Sequence, residues 1–158
     1  MNIYETAKLR EEYLLFHYGT PEQICSWPGR PREALGFPAR IVERFSGSEV
    51  ARALDLGCAV GRSAFELSRT AAEVVAIDYS QAFVDAGKTM QAAGRCEVSR
   101  LEEAHRRQSI MVEVPAGTRP GRITFERGDA MNLRAELGGF DHTSVVKNIR
   151  SCRVFMFE

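Results

Sequence analysis

Apolar residues recur at helical intervals near the start of the chain. Leu9, Tyr13 and Phe16, with Leu14 and Tyr18 beside them, predict an amphipathic helix over residues 4–18, stopped by Gly19 and Thr20-Pro21. Pro21, Pro28, Pro31 and Pro38, with Gly29 and Gly36, leave no room for a periodic element over 20–38. That stretch reads as an ordered loop or lid holding the only tryptophan, Trp27. A second helix is expected at 38–46, with Phe37, Ile41, Val42 and Phe45 as its apolar face and Gly47 at its end.

From Arg52 onward the pattern alternates between short apolar runs and helical stretches. Residues 53–56 form a buried strand by their continuous apolar character, and 62–70 a helix with Ala64, Phe65 and Leu67 inward. Residues 73–77 make a second strand, ending at Asp78. Ser80 caps a helix that runs to about residue 93, carries Phe83, Val84, Ala86 and Met90 on one side, and closes at Gly94. Val98 and Leu101 suggest that helix resumes to about residue 107, before a strand at 110–114 and a turn-rich link from Pro115 to Gly121. A further strand is expected at 123–126 and a short helix at 131–137, broken by Gly138-Gly139. Phe140-Asp141 then opens another strand. Strands alternating with helices give a parallel sheet with right-handed crossovers, an open α/β sandwich.

Composition narrows the class. A chain of 158 residues, 44% hydrophobic and 27% charged, suits one soluble domain with a proper core. Lys plus Arg and Asp plus Glu both number 21, which argues against nucleic acid or an anionic membrane as the main partner. Arg95, Arg100, Arg106 and Arg107 are neighbours in sequence, and a solvated face accounts for them. No apolar run has membrane-spanning length, and the first residues lack a signal-peptide core. Cys25, Cys58, Cys96 and Cys152 are scattered, and His17, His105 and His142 have no ligand spacing. The expectation is a cytoplasmic, metal-free protein.

The chemistry concentrates in one stretch, Asp55-Leu56-Gly57-Cys58-Ala59-Val60-Gly61-Arg62. A strand feeding a glycine turn into a helix brings backbone amides close to a ligand, and an acid nearby can take hydroxyl or ammonium groups. Asp78 lies 23 residues after Asp55, a position suited to accepting hydrogen bonds from ribose hydroxyls. Asp129 follows the strand at 123–126, so the three acids face a common rim at the carboxyl ends of the strands. Nicotinamide and flavin binders share this layout, but the G-x-G-x-x-G order is absent.

The spacing D-x-G-x-x-x-G resembles the D/E-x-G-x-G-x-G motif of class I S-adenosylmethionine-dependent methyltransferases, with Ala59 at the middle glycine. The flanks are more specific. N-x-Y-E-T (Asn2, Tyr4–Thr6), E-Y-L-L-F-H-Y-G (12–19), A-L-G-F-P-A-R (34–40), D-L-G-C-A-V-G-R-S-A-F-E-L (55–67), I-D-Y-S-Q-A-F (77–83) and G-D-A-M-N-L (128–133) resemble the 4-mercaptohistidine N-methyltransferases. That family also forms the C-terminal domain of ovothiol-biosynthesis enzymes, and Ala59 at the middle position is typical of it.

The resemblance, over roughly residues 2–141, implies S-adenosyl-L-methionine as cofactor and a small-molecule thiolated histidine as substrate, methylated on an imidazole nitrogen. It places the cofactor on Asp55, Gly57, Cys58, Ala59, Gly61, Asp78, Tyr79, Asp129 and Ala130. No catalytic residue is fixed by it. Tyr4, Glu5, Tyr13, His17 and Tyr18 are candidates, because N-terminal helices of small-molecule methyltransferases often cap the substrate side.

The expected fold is a Rossmann-like class I methyltransferase sandwich with N-terminal helices. Its layout is a helical cap and Pro-rich loop at 1–50, a cofactor-binding core at 51–141 and a divergent tail at 142–158. After His142 the sequence leaves the family pattern, which predicts a C-terminal truncation lacking strands 5–7 and a fourth strand improvised from 144–146 or 154–157. A non-catalytic, cofactor-binding relic or partner-dependent fragment, and a class I methyltransferase for another small molecule, are the alternative functions.

Overall fold

Continuous apolar runs become the central strands because both of their faces are covered. The computed structural model describes residues 3–24, 35–43, 49–101 and 107–145. In chain order the helices are α1 (Ala7–Tyr18), α2 (Pro21–Ile24), α3 (Phe37–Glu43), α4 (Arg62–Leu67) and α5 (Gln81–Ala93). The strands are β1 (Val50–Leu56), β2 (Ala71–Asp78), β3 (Arg95–Leu101), β4 (Arg107–Glu113), β5 (Ile123–Arg127) and β6 (His142–Val145). Four of them form a parallel sheet in the order β5-β2-β1-β6, and β3 pairs with β4 in a separate antiparallel hairpin. The result is the Rossmann-like mixed α/β fold expected.

One face of the sheet packs Ala53, Val74, Ala76, Ile123 and Phe125 against Ala64, Phe65, Leu67, Val84 and Met90 of α4 and α5. The opposite face buries Leu54, Leu56, Val75 and Ile77 with Leu137, and Phe140 packs beside them. Arg52 holds this second layer in place. Its guanidinium donates to the carbonyls of Leu137 (2.9 Å) and Gly139 (3.0 Å) and to Glu73 (2.8 Å), and lies 4.5 Å from the Phe140 ring centroid. The Asp141 amide then donates to the Arg52 carbonyl at 3.0 Å and the Arg52 amide to Asp141 Oδ2 at 2.9 Å, which sets the register of β6.

Helix boundaries follow their caps. Thr6 Oγ1 accepts from the Leu9 amide to start α1, and Ser80 Oγ accepts from the Phe83 amide to start α5. Gly94, at φ +71°, ends α5 by donating to the Met90 carbonyl. A short helix also begins inside the proline-rich stretch. Thr20 and Gln23 form a reciprocal capping box, with Pro21 at the first helical position. Residues 25–34 of that stretch, with Trp27, lie outside the described residues, as does the end of the helix expected at 38–46.

Three expectations are corrected. Residues 95–101 are a strand, not a resumed helix: Val98 opposes Ile110 and Cys96 opposes Val112, so their two-residue alternation pairs into a hairpin. Residues 131–137 carry only a 3-10 turn, Ala135–Leu137. Asp129 Oδ1 accepts from the Met131 amide, and the Asp129 carbonyl from the Asn132 amide, which diverts the backbone from an α-helix. The helix expected at 62–70 ends at Leu67. Of the two segments offered for a fourth strand, the first is close to the observed β6, His142–Val145, and 154–157 lies outside the described residues. Residues 142–145 therefore belong to the main sheet. Among the described residues no helix is long and apolar enough to cross a membrane.

Candidate functional site

The turn after β1 takes its shape from three left-handed residues spaced two apart. Gly57 has φ +72°, Ala59 φ +48° and Gly61 φ +90°. All three glycine positions of the motif thus keep the backbone conformation that glycine favours, including the one that carries a methyl group. Left-handed backbone costs alanine about 1 kcal/mol or more, partly offset by the lower chain entropy of unfolded alanine. Ala59→Gly is therefore expected to raise stability by about 0.5 kcal/mol. A thermal melt reads this as a small upward shift, and a fall would mean that the methyl group contributes packing that outweighs the strain.

Most of the turn's polar groups are held by the protein itself. The amides of Gly57 and Cys58 donate to the Ile77 carbonyl at 2.8 and 3.1 Å, and Gly61 donates to the Cys58 carbonyl at 2.8 Å. The Ala59 amide donates to Asp78 Oδ2 at 2.9 Å, while Ser80 donates to Asp78 Oδ1 at 2.8 Å. Each oxygen of the Asp78 carboxylate thus has one backbone partner and retains capacity for a second. Burial pushes this carboxyl up from its ordinary range, against the pull of the Ser80 and Ala59 amides.

Asp55 sits beneath the turn, fully buried, with Ser63 Oγ donating to its Oδ2 at 2.6 Å. Ser144, its register partner on β6, faces it near enough to ease its charge but outside hydrogen-bond geometry. Burial raises the Asp55 pKa to about 7, with the Ser63 bond opposing. The sequence placed Asp55 among the cofactor residues, and the structure gives it no exposed surface. Cys58 is equally buried, and burial pushes its thiol well up, so it stays protonated.

The other rim residues are open. Tyr79 is 60% exposed, with the Arg127 guanidinium 5.7 Å from its ring centroid. Asp129 and Ala130 are exposed just past β5, and the Gly128 amide donates to the Asp78 carbonyl at 2.9 Å, tying the ends of β2 and β5 together. Asp55, Asp78 and Asp129 do fall at one edge of the sheet, two near its surface and one inside it.

The N-terminal candidates lie across this same edge. Tyr18 donates its hydroxyl to the Val60 carbonyl at 2.8 Å, and burial raises its pKa well above the usual phenol range. Arg62 donates to the His17 carbonyl at 2.8 Å and lies 5.7 Å from the Tyr18 ring centroid. His17 is buried beside Tyr13, with ring centroids 5.7 Å apart, and its Nδ1 has no hydrogen-bond partner among the described residues. Burial, then the nearby Arg62 charge, lowers its pKa to about 3, so the ring is neutral. Tyr13 packs its ring 4.6 Å from that of Phe83. Tyr4 accepts from Ser80 Oγ through its carbonyl at 3.0 Å, and Glu5 receives the amides of Gln81 and Ala82 at 3.0 and 3.1 Å.

Sequence reasoning missed Ser63, Arg62 and Ser80 as builders of the site. Arg62 and Glu66 carried a readable signal, opposite charges four residues apart, and they bond at 3.0 Å. Ser63 carried none, because its partner is fixed only by the turn.

Fold and turn together define a Rossmann-like α/β protein whose ligand edge is built around the ends of β1 and β2. A family model of the methyltransferase domain matches residues 54–148, and the chain belongs to that family. Its cofactor is S-adenosylmethionine, and the residues fit that group: Asp78 is a fixed carboxylate with spare acceptor capacity, beside a turn whose alternate residues Gly57, Ala59 and Gly61 are left-handed. No curated protein matches the chain.

Among solved structures it is similar to YcgJ from Bacillus subtilis, at 17% identity over 61% of this chain and 32% of that one, with a TM-score of 0.40. It is also similar to precorrin 8W decarboxylase from Methanobacterium thermoautotrophicum, at 22% identity, 66% and 43% coverage, and a TM-score of 0.39. A third is Haemonchus contortus phosphoethanolamine N-methyltransferase 1, solved with phosphoethanolamine and S-adenosylhomocysteine, at 17% identity, 82% and 23% coverage, and a TM-score of 0.43. The chain spans less than half the length of each.

Proposed function

We propose that this chain serves an S-adenosylmethionine-dependent N-methyltransferase acting on the imidazole of a thiolated histidine. The observation that carries the reading is the seat of the N-terminal signature. The residues that most specifically resemble the mercaptohistidine enzymes, Tyr4-Glu5-Thr6 and the run from Glu12 to Gly19, fasten onto the cofactor turn and the start of α5. They occupy the edge where a substrate meets the methyl donor.

S-adenosylmethionine supplies a methyl group on a sulfonium centre, already activated by its positive charge. The protein's part is then to orient and to exclude water. Asp78 holds the ribose end, and the 57–61 turn supports the cofactor alongside it. An imidazole nucleophile must be unprotonated, so a group that accepts its proton as it reacts assists the transfer. Tyr18 and Glu5 already spend their polar groups on Val60 and on α5. His17 has a buried ring nitrogen with no hydrogen-bond partner among the described residues, but a pKa of about 3 makes it too weak a base to take that proton, so its part is to shape this edge.

Calorimetry and a methyl-transfer assay with 5-thiohistidine test the reading. S-adenosylmethionine should bind, and Asp78→Ala should weaken it roughly tenfold or more, the loss of a charge-assisted bond pair. An unchanged affinity would refute the ribose assignment. Binding without methyl transfer to thiolated histidine would refute the substrate and favour a chain that binds cofactor only, or one that serves another small molecule.

A further inference from the structure

The amide donors at the start of α5 are all taken, mostly by carboxylates. Ser80 donates to Asp78 Oδ1 at 2.8 Å, Gln81 and Ala82 to the two oxygens of Glu5 at 3.0 and 3.1 Å, and Phe83 to Ser80 Oγ at 3.2 Å. A helix N-terminus beside a ribose site is where related folds receive phosphate, and a cation near the strand-end acid is what accommodates a 2′-phosphate. Here acids cap the helix start, and the nearby cation, Arg127, register partner of Asp78 on β5, is drawn onto Tyr79, donating to its carbonyl at 3.2 Å and lying 5.7 Å from its ring centroid. Glu5 arrives from 76 residues away in sequence and is held there by the Ser80 hydroxyl on the Tyr4 carbonyl. Its charge reaches Asp78, where it adds to the burial that raises that carboxyl.

We propose that Glu5 is a specificity residue of the cofactor site: with Asp78 it forms a doubly negative rim that admits a free ribose diol and rejects a ribose carrying a 2′-phosphate. The inference rests on the assignment of Asp78 to the ribose. Glu5 itself touches no cofactor. It acts by occupying the amides a phosphate would need and by repelling the phosphate's charge. A carboxylate that only caps α5 would stabilise the helix without altering the choice of ligand.

The test is displacement of bound S-adenosylhomocysteine from the full chain by adenosine and by adenosine 2′-monophosphate, in wild type and Glu5→Gln. Glutamine keeps one oxygen for an amide and removes the charge. Wild type is expected to prefer adenosine about 100-fold, and Glu5→Gln to cut that preference about tenfold while adenosine affinity stays within about threefold. Raising salt from about 0.05 to 0.5 M should narrow the wild-type preference as well, a measurement that stands even if the variant fails to fold. A preference that Glu5→Gln leaves unchanged would overturn the proposal whatever salt does, since the Asp78 charge alone is screened by salt, and so would a wild-type preference that salt does not move; either leaves Glu5 a cap. Failure of wild type to bind S-adenosylhomocysteine at all would instead bring down the cofactor assignment, and this inference with it.

Discussion

Between about pH 4 and pH 6.5, His17→Phe and Asp55→Asn are expected to give stability profiles of opposite slope relative to wild type. The reason is two buried groups perturbed in opposite senses. His17 has its pKa lowered from 6.5 to about 3, and Asp55 has its pKa raised from 3.8 to about 7. The histidine's contribution is complete above pH 6.5 and is lost as pH falls toward 3, because the unfolded chain takes up a proton that the folded one refuses. The aspartate's contribution is complete below 3.8 and is lost as pH rises through 7, because the unfolded chain releases a proton that the folded one keeps.

Over the shared window each group changes stability by about 1.4 kcal/mol per pH unit, with opposite sign, so in wild type they cancel. Removing His17 leaves the Asp55 slope, with stability falling as pH rises. Removing Asp55 leaves the His17 slope, rising with pH. Urea melts at half-unit steps measure both, and taking each variant's difference from wild type removes the background of other titrating groups. Parallel profiles would mean that neither group is buried in the state its surroundings imply.

The second large effect concerns Phe125, whose ring fills the space left by two glycines. A methyl group at Gly61 would lie 2.6 Å from the ring's Cζ, and one at Gly87 would lie 2.8 Å from its Cε1. The last glycine of the motif therefore admits a core side chain from β5, which is packing between helix and strand rather than contact with a ligand. Gly61→Ala combines that clash with left-handed backbone at φ +90° and is expected to cost about 3 kcal/mol. Gly87 lies inside α5, where alanine is the better helix former by about 1 kcal/mol, so only the clash opposes its replacement.

The two sites should respond differently to Phe125→Leu. In that background Gly87→Ala should become neutral or stabilising, whereas Gly61→Ala should recover only the steric part and keep about 1 kcal/mol of backbone strain. Denaturant melts of the double-mutant cycles decide it. Equal rescue at both positions would show that the backbone of Gly61 carries no strain of its own.

Much of this was legible in the sequence, for identifiable reasons. β1, β2, β5 and α5 were readable because buried runs and caps are local: Ser80 and Gly94 bound α5 by their own chemistry. The β3–β4 hairpin was misread because Val98 and Leu101 fit a helical interval as well as a strand, and only pairing with Ile110 and Val112 decides between them. Asp78 was placed correctly at the end of β2. Its two amide partners, and the burial of Asp55 below it, depend on a turn whose path no spacing specifies. Least legible was the N-terminal contribution: Tyr4, Glu5 and Tyr18 were readable as candidates, but their partners lie 42 to 77 residues downstream.

That distance has a consequence during synthesis. α1 leaves the ribosome well before Val60, Arg62 and the start of α5 exist to receive it, and at cellular rates of about 5–20 residues per second the wait lasts several seconds. Throughout it Leu14 and Tyr18, buried in the finished protein, have nothing to pack against. α1 thus waits, an amphipathic helix without its partners, until those residues have emerged. Its docking comes after the strands it covers, so this edge of the fold is covered late in the life of the nascent chain.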